Sequence, residues 1–349
     1  MKKYSYFISG SAPQLYPTES FFGNLMWSEN DGVSVPYCCP FADEWGKPLS
    51  MHIYDKKKFP IPIYLDMIWL SLTENKFYSV EEELSAEALE QSFQEKDIIT
   101  GESLYNYIIV GMAPYGHLAL WVHGDKKSKI IAWLKAEEVD VKMSDFCPST
   151  QLSRNEYVKM MLQSVPEAFK NKAKNGLPPR YLFDKYMQQF HYRYLFMFGH
   201  WDKNKDIWLK NIDEEIVPQF NYIEETLYDG THDKLNDSGL MKYHQAGKPK
   251  KLRAQWHIGK SEYSAYFWFE DERIRDVFDK FYGTHPDTKT DFIIRIDAEQ
   301  RKYELALYRY GLKEPQIIPE DVYQLLVFKN KFEDYRSENY NQERGAWIW

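Results

Sequence analysis

Hydrophobic and polar positions alternate along much of the chain in short runs that are typical of β-strands. Ile61–Thr73 is apolar, aromatic and β-branched, which predicts a buried strand. Tyr105–Met112 and His117–His123 predict a hairpin, because the intervening Ala113–Gly116 places a proline and a glycine where a tight turn needs them. Lys129–Leu134 continues the pattern as a third strand.

The alternation resumes in the last third of the chain. Further strands are predicted over Leu252–Ile258, Tyr263–Phe269, Asp291–Asp297 and Lys302–Tyr310. Helices are predicted over Ser85–Gln94, where Ser85 is a suitable N-cap, and over Asp271–Tyr282, and a helix or mixed element over Glu320–Glu338. Runs of strands with few helices predict an α+β protein with strand-rich antiparallel sheets and flanking helices.

One pattern of residues occurs twice in the chain: His117–Trp121 is followed by Gly124, and Glu304–Tyr308 is followed by Gly311 at the same distance. Upstream apolar positions keep nearly the same interval. These matched positions are Leu89 with Ile274, Phe93 with Phe278, and Ile108-Ile109 with Ile293-Ile294. We interpret the matches as an internal duplication that produces two related units; the alternative is a chance match of short apolar runs.

The predicted domain boundary falls in a polar stretch after residue 230. This stretch contains glycine and proline and lacks apolar periodicity, which is typical of a linker. We therefore predict a first domain over residues 1–230, a linker over 231–251 and a smaller, degenerate copy over 252–349. A chain of 349 residues is long enough for two cores.

Composition and charge narrow the classes of partner. Aromatic residues make up 17% of the chain, and tyrosine and tryptophan are enriched in binding hot spots. The net charge of −8 lies entirely in residues 1–230, because residues 231–349 hold 20 basic and 20 acidic residues. This argues against a nucleic-acid-binding role, which needs basic stripes, and is compatible with a basic protein partner. The alternative is that the charge only maintains solubility.

The cysteines and the apolar runs bear on the compartment. Cys38, Cys39 and Cys147 do not form a disulfide framework, which favours a reducing compartment. The sequence shows no intact signal peptide and no apolar run long enough to span a bilayer. We expect a cytoplasmic chain with no membrane span.

Motifs of known chemistry are missing from the sequence. It has no Gly-x-Ser-x-Gly elbow, no Walker loop, no Gly-x-Gly-x-x-Gly and no His-Glu-x-x-His. His117 and His123 share one face of a predicted strand, but about 3.3 Å per residue separates them by about 20 Å, too far to share an ion. The sequence therefore predicts no catalytic residue, no metal and no cofactor.

Two motifs in the first half of the chain resemble a known family. The first places a tryptophan, a serine, a glutamate and an aromatic pair before a short acidic helix: Trp69, Ser71, Glu74, Phe77 and Tyr78. The second is the Gly-x-Ala-Pro-x-Gly hairpin that leads to Trp121. Both resemble the bacterial family catalogued as domain of unknown function 2931.

Two later segments are similar to the same family. Tyr181–Tyr192 matches its aromatic and basic segment, and Phe220–Glu224 matches its Asn-Gly-Glu close only in part. The resemblance covers about residues 1–230 and does not reach residues 252–349. Gly111, Pro114 and Gly116 of the hairpin motif are all assigned to turn geometry.

The resemblance implies a cellular role and an alternative compartment. Many members are lipoproteins, and this chain lacks the lipobox cysteine. The alternative to the cytoplasm is therefore the periplasm, or a lipoprotein whose signal segment has been removed. Some members lie beside secreted antibacterial effectors of the lipase type, which implies an immunity role.

The candidate binding residues are aromatic or acidic: Trp69, Glu74, Tyr78, Tyr115, Trp347 and Trp349. Glu74 has two interpretations. It acts as a general acid or as an anchor for a basic partner residue, or it satisfies backbone N–H groups at a strand end. The two tryptophans at positions 347 and 349 dock into the protein's own core or insert into a partner.

The leading hypothesis is a non-catalytic binding protein. In its specific form it is an immunity-type protein that neutralises a secreted, lipase-type antibacterial effector, a basic partner, by covering its active site. One alternative is a module that binds glycans or envelope components through exposed tryptophan and tyrosine. Another is a hydrolase built around Glu74 and a histidine.

Overall fold

The computed structural model describes most of the chain, which divides into two compact units. The described residues are 2–13, 16–36, 45–49, 58–163, 177–202, 204–205, 207–209, 218–236, 242–283, 285–300, 302–331 and 337–339. The first unit comprises Met1–Lys185 and Asp229–Thr231, and the second comprises Tyr186–Tyr228 and His232–Trp349.

This division differs from the predicted domains of 1–230 and 252–349 with a linker over 231–251. Residues 186–228 fall in the second unit, and strands form at His232–Asn236 and His244–Ala246 inside the predicted linker. The first of these is an edge strand. An edge strand needs few apolar residues, which is why its sequence resembles a linker.

The first unit consists of β-strands with short helices between them. Its strands are β1 (Lys3–Tyr4), β2 (Phe7–Ser11), β3 (Thr18–Met26), β4 (Gly32–Ser34), β5 (Phe59–Pro60), β6 (Tyr64–Ser71), β7 (Lys76–Glu83), β8 (Tyr107–Met112), β9 (His117–His123), β10 (Ser128–Lys135) and β11 (Glu137–Val139). Its helices are α1 (Ala86–Gln94), α2 (Met143–Phe146), α3 (Arg154–Gln163) and α4 (Leu182–Tyr186), whose last residue belongs to the second unit.

Two sheets of the first unit share one apolar core. One sheet has the order β10-β9-β8-β2, with β2 parallel to β8, and the other has the antiparallel order β11-β7-β6-β3-β4. Trp69 of β6, Leu120 of β9 and Phe93 of α1 belong to the same buried cluster. The predicted N-cap of α1 is present, because the Ser85 hydroxyl accepts a hydrogen bond from the Ala88 N–H at 3.2 Å.

The described part of the second unit is also built from sheets, with one long helix. Its strands are β12 (Phe190–Asp202), β13 (Ile207–Leu209), β14 (Gln219–Leu227), β15 (His232–Asn236), β16 (His244–Ala246), β17 (Pro249–Ile258), β18 (Ser261–Phe269), β19 (Thr290–Asp297), β20 (Tyr303–Arg309), β21 (Gln316–Ile318), β22 (Tyr323–Lys331) and β23 (Ser337–Asn339). Helix α5 spans Asp271–Tyr282, with the bounds predicted from the sequence. Its residue Phe278 is buried in one core with Trp256 of β17 and Ile294 of β19.

The strands of the two units follow the same order. A parallel pair is followed by two antiparallel strands in both units, β2-β8-β9-β10 and β12-β19-β20-β21. The order β4-β3-β6-β7-β11 corresponds to β15-β14-β17-β18-β22, and α1 and α5 precede equivalent strands. This is the order that a duplicated unit would produce, and the duplication itself stays a prediction.

The α+β fold class with antiparallel sheets is confirmed, and one element is corrected. Glu320–Glu338, predicted as a helix or mixed element, forms a short 3₁₀ turn at Glu320–Val322 followed by strand β22. Leu325 and Val327 are buried while Gln324 is exposed, which is the period of two that a strand requires. Among the described residues, no helix is long and apolar enough to cross a membrane.

Candidate functional site

The structure brings four predicted site residues together in the first unit. Trp69 lies in β6, Glu74 in the turn after it, Tyr78 in β7 and Tyr115 in the turn between β8 and β9. The other two, Trp347 and Trp349, lie outside the described residues, so their docking stays a prediction.

The Glu74 carboxylate holds this group of residues together. Its Oε2 accepts hydrogen bonds from the Ser71 hydroxyl at 2.7 Å and from the Tyr115 backbone N–H at 2.9 Å. Its Oε1 accepts from the Tyr78 hydroxyl at 2.8 Å. Both oxygens are therefore engaged, as in the interpretation of Glu74 as a carboxylate that satisfies a backbone N–H group.

The turn that Glu74 holds has a strained backbone. Tyr115 has φ 60° and ψ 24°, in the left-handed region that few residues other than glycine adopt. Its hydroxyl also donates to the Pro178 carbonyl at 2.7 Å, so both ends of the residue are fixed. Such conformations cost of the order of 1–3 kcal/mol and cluster at functional sites.

Trp69 and Tyr78 support the turn from below the surface. Trp69 is fully buried, Tyr78 is buried, and their ring centroids lie 5.7 Å apart. Burial, with the bond to Glu74, raises the pKa of the Tyr78 hydroxyl, which therefore stays protonated. The two side chains, predicted as binding residues, are placed where they hold Glu74 and the core together and have little surface to offer a partner.

A second group of polar residues lies beside the turn and was missed by sequence reasoning. His117, the first residue of β9, is the cross-strand neighbour of Lys135 in β10. Lys135 Nζ lies 2.9 Å from His117 Nε2, and the Asp184 carboxylate lies 3.8 Å from the same nitrogen. The imidazole is 1% exposed and packs against the rings of Trp133 and Phe183, at centroid distances of 5.7 and 5.4 Å.

Burial decides the charge state of this pair. It lowers the pKa of His117 to about 4, with a further contribution from the Lys135 cation and opposition from Asp184. The imidazole is therefore neutral at pH 7, and we assign its proton to Nδ1 because Nε2 faces Lys135. Nδ1 has no hydrogen-bond partner among the described residues. Burial also lowers the pKa of Lys135, where Arg180 acts in the same direction and Asp184 and Glu74 oppose it.

Exposed residues border the turn on one side. The Arg180 guanidinium lies 5.6 Å from the ring centroid of Tyr115. The neighbouring Leu177 and Tyr181 are 43% and 54% exposed, which is high for large apolar side chains. We name this patch the turn surface, and it consists of Tyr115, Lys135, Leu177, Arg180, Tyr181 and Asp184.

Glycine is required at position 111 for a reason other than the turn geometry predicted from the sequence. It lies in β8, and a Cβ atom there would overlap the six-membered ring of Trp121 and also approach Trp45. The Trp121 indole N–H donates to the Asp229 carbonyl at 3.2 Å, which fixes the ring over the glycine. Packing, not the turn, therefore requires glycine at this position.

Within the described residues, no three side chains of His, Cys, Asp or Glu are close enough to hold a metal ion. What the site offers is a rigid turn, an arginine over an aromatic ring, and an exposed lysine next to a buried neutral histidine. These features suit recognition of another molecule.

A known protein family matches the part of the chain that contains both motifs joined by Glu74. The family model described as "Protein of unknown function (DUF2931)" matches residues 1–178. The chain belongs to this family. The DUF2931 match ends before Tyr181–Tyr192 and Phe220–Glu224, and the C-terminal part has no recognised family. No curated protein and no solved structure matches the chain.

Proposed function

We propose that this DUF2931 protein is a non-catalytic binding protein that contacts a protein partner through the turn surface of its first unit. The observation that carries the proposal is the engagement of Glu74. Both carboxylate oxygens hold the Ser71, Tyr78 and Tyr115 groups in place, which supports a structural task for Glu74 and weakens the hydrolase alternative.

The turn surface has the composition and rigidity of a contact site. Tyrosine and arginine are enriched in binding hot spots. Here Arg180 lies over the Tyr115 ring, and the exposed Tyr181 follows Arg180 in the chain. Tyr115 is held by Glu74 and Pro178 before any partner arrives, which reduces the entropy lost on binding.

The specific form of the proposal is an immunity-type protein. It would neutralise a secreted antibacterial effector of the lipase type by covering the entrance to the active site. Support comes from the family resemblance and from the acidic first 230 residues, which suit a basic partner.

The test is co-expression of the full chain with lipase-type antibacterial effectors, followed by growth measurement and by the affinity of the purified pair. We expect protection and a stoichiometric complex. Arg180→Ala combined with Tyr181→Ala should weaken the complex at least about tenfold, because each hot-spot truncation costs more than about 1 kcal/mol. Tyr310→Ala, at a 100% exposed site in the second unit, is the control and should leave affinity unchanged.

The possible results separate two claims. If no effector is neutralised or bound, the immunity role is lost. If an effector is bound with equal affinity by the Arg180 and Tyr181 variant, the binding role stands and the turn surface is not the contact.

An aromatic strip on the second unit favours glycan binding as a second candidate. The rings of Tyr266 and Trp268 in β18 are stacked, with centroids 5.6 Å apart and planes 16° apart, and both are half-buried. Lys251 lies over both rings, so a sugar would have to displace it. Titration with envelope oligosaccharides, followed by tryptophan fluorescence and repeated with Trp268→Ala, tests this candidate.

A further inference from the structure

Lys135 has an unusual set of neighbours for an exposed lysine. Its Nζ lies 2.9 Å from Nε2 of His117, which comes from β9. Three other charged groups act on it: Asp184 from α4, Glu74 from the β6–β7 turn and Arg180 from the segment before α4. The side chain itself is exposed, so a reagent from solvent can reach the amine.

His117 cannot stabilise the lysine as a charged partner would. The imidazole is 1% exposed and packed between two aromatic rings, so it stays neutral and offers only the lone pair of Nε2. A neutral amine at Lys135 donates one N–H to that lone pair and keeps its own lone pair for attack. Burial of the amine is the main factor that disfavours its ammonium form and lowers the pKa of Lys135; Arg180 acts in the same direction, while Asp184 and Glu74 oppose it. A lysine whose pKa is lowered by burial is a typical nucleophile.

We propose that Lys135 is a site of covalent acylation, at which the ε-amine takes an acyl group from an activated donor such as an acyl phosphate. The nitrogen attacks the carbonyl carbon, an N–C bond forms, and the C–O bond to phosphate breaks. The phosphate leaves with the electron pair, and the proton lost by nitrogen passes to solvent. No oxidant or reductant takes part.

Acylation would change the charge of the turn surface. The amide is neutral, so the cation beside Asp184 and Arg180 is lost. The inference rests on the contact between Lys135 and His117 and on the burial and charges around the amine, and it does not depend on the proposed partner.

The test is competitive labelling of the full chain with a trace of acetyl phosphate across pH 6–11. Remaining amines are then acetylated exhaustively with a deuterated reagent, and each lysine is quantified by mass spectrometry. Lys129, an exposed lysine in the same strand, is the internal reference. We expect the Lys135 rate to rise with a midpoint at lower pH than that of Lys129 and to be about three- to tenfold higher at pH 7.5, since one pKa unit is a factor of ten.

Two substitutions at exposed positions leave the core intact and should shift the acetylation rate of Lys135 in opposite directions. Asp184→Asn removes an anion that favours the ammonium and should speed labelling of Lys135, whereas Arg180→Gln should slow it. Neither should affect Lys129. A Lys135 midpoint that is not below that of Lys129, or a Lys135 rate below the Lys129 rate at pH 7.5, would overturn the proposal.

Discussion

The backbone N–H of Tyr115 donates a 2.9 Å hydrogen bond to the carboxylate of Glu74. The two residues belong to different family motifs, one in the β6–β7 turn and the other in the β8–β9 turn, which come from different sheets. The bond therefore explains why a glutamate follows the first motif's strand: it satisfies a donor that the strained second turn leaves without a strand partner.

Removal of the Glu74 side chain should destabilise the first unit. Glu74→Ala leaves the Tyr115 N–H and the Tyr78 hydroxyl without their acceptor, which costs about 1–3 kcal/mol of unfolding free energy. Glu74→Gln keeps one acceptor oxygen and should cost less. Urea denaturation measures both, with Glu102→Ala at an exposed position as the control. An unchanged unfolding free energy for Glu74→Ala would contradict the structural role.

Gly111→Ala tests the packing explanation for this glycine. The added methyl group meets the Trp121 ring, and overpacking of this kind costs about 1–3 kcal/mol. The double variant Gly111→Ala with Trp121→Phe removes the overlapping ring atoms, so the two changes should cost less together than the sum of the single variants. Simple additivity in thermal or urea unfolding would show that the contact is not the reason for the glycine.

Local signals in the sequence were sufficient for several elements. Ser85 caps α1 as expected, and Asp271–Tyr282 forms a helix with the predicted bounds, because each carries its own periodicity and capping residues. The Ala113–Gly116 turn follows from its proline and glycine. The family motif indicated Glu74 and Tyr115 but did not show that they touch.

The lysine–histidine pair could not be predicted, because it depends on strand register. The pairing of β10 with β9 shifts between Ile130 and Ala132, and this irregularity places Lys135 opposite His117. Asp184 and Arg180 reach the pair from a distant part of the chain. A carboxylate or guanidinium brought in by tertiary structure leaves no local pattern in the sequence.

His117 should make the first unit less stable in acid. Its pKa is about 4 in the folded chain and about 6.5 when unfolded, so the unfolded chain binds the extra proton between these values. Its contribution to stability is full above pH 6.5 and is lost as the pH falls towards 4, by about 3 kcal/mol at most. NMR titration should show the His117 ring titrating well below pH 6. In His117→Phe, the unfolding free energy should depend less on pH between 6.5 and 4. A midpoint near 6.5 would show that the ring is not buried as described.

His244 in the second unit should have the opposite effect. Its Nε2 lies 3.4 Å from Oε1 of Glu225, a buried carboxylate whose Oε2 accepts a 2.5 Å hydrogen bond from the Tyr194 hydroxyl. Burial alone would lower the pKa of His244, but the adjacent Glu225 carboxylate outweighs it and raises the pKa above 6.5. The stabilising contribution is therefore fully present below pH 6.5 and is lost as the pH rises through the folded value.

The same NMR titration distinguishes the two histidines. His244 should titrate above 6.5, and Glu225→Gln should move its midpoint downwards, because burial is then opposed only by the Lys242 carbonyl and the Asp233 charge. Tyr194→Phe is the matched control: it removes the hydrogen bond from Tyr194 to Glu225 but keeps the carboxylate next to His244. A His244 midpoint that is equal in the parent chain and in Glu225→Gln would mean that the pair does not form in solution.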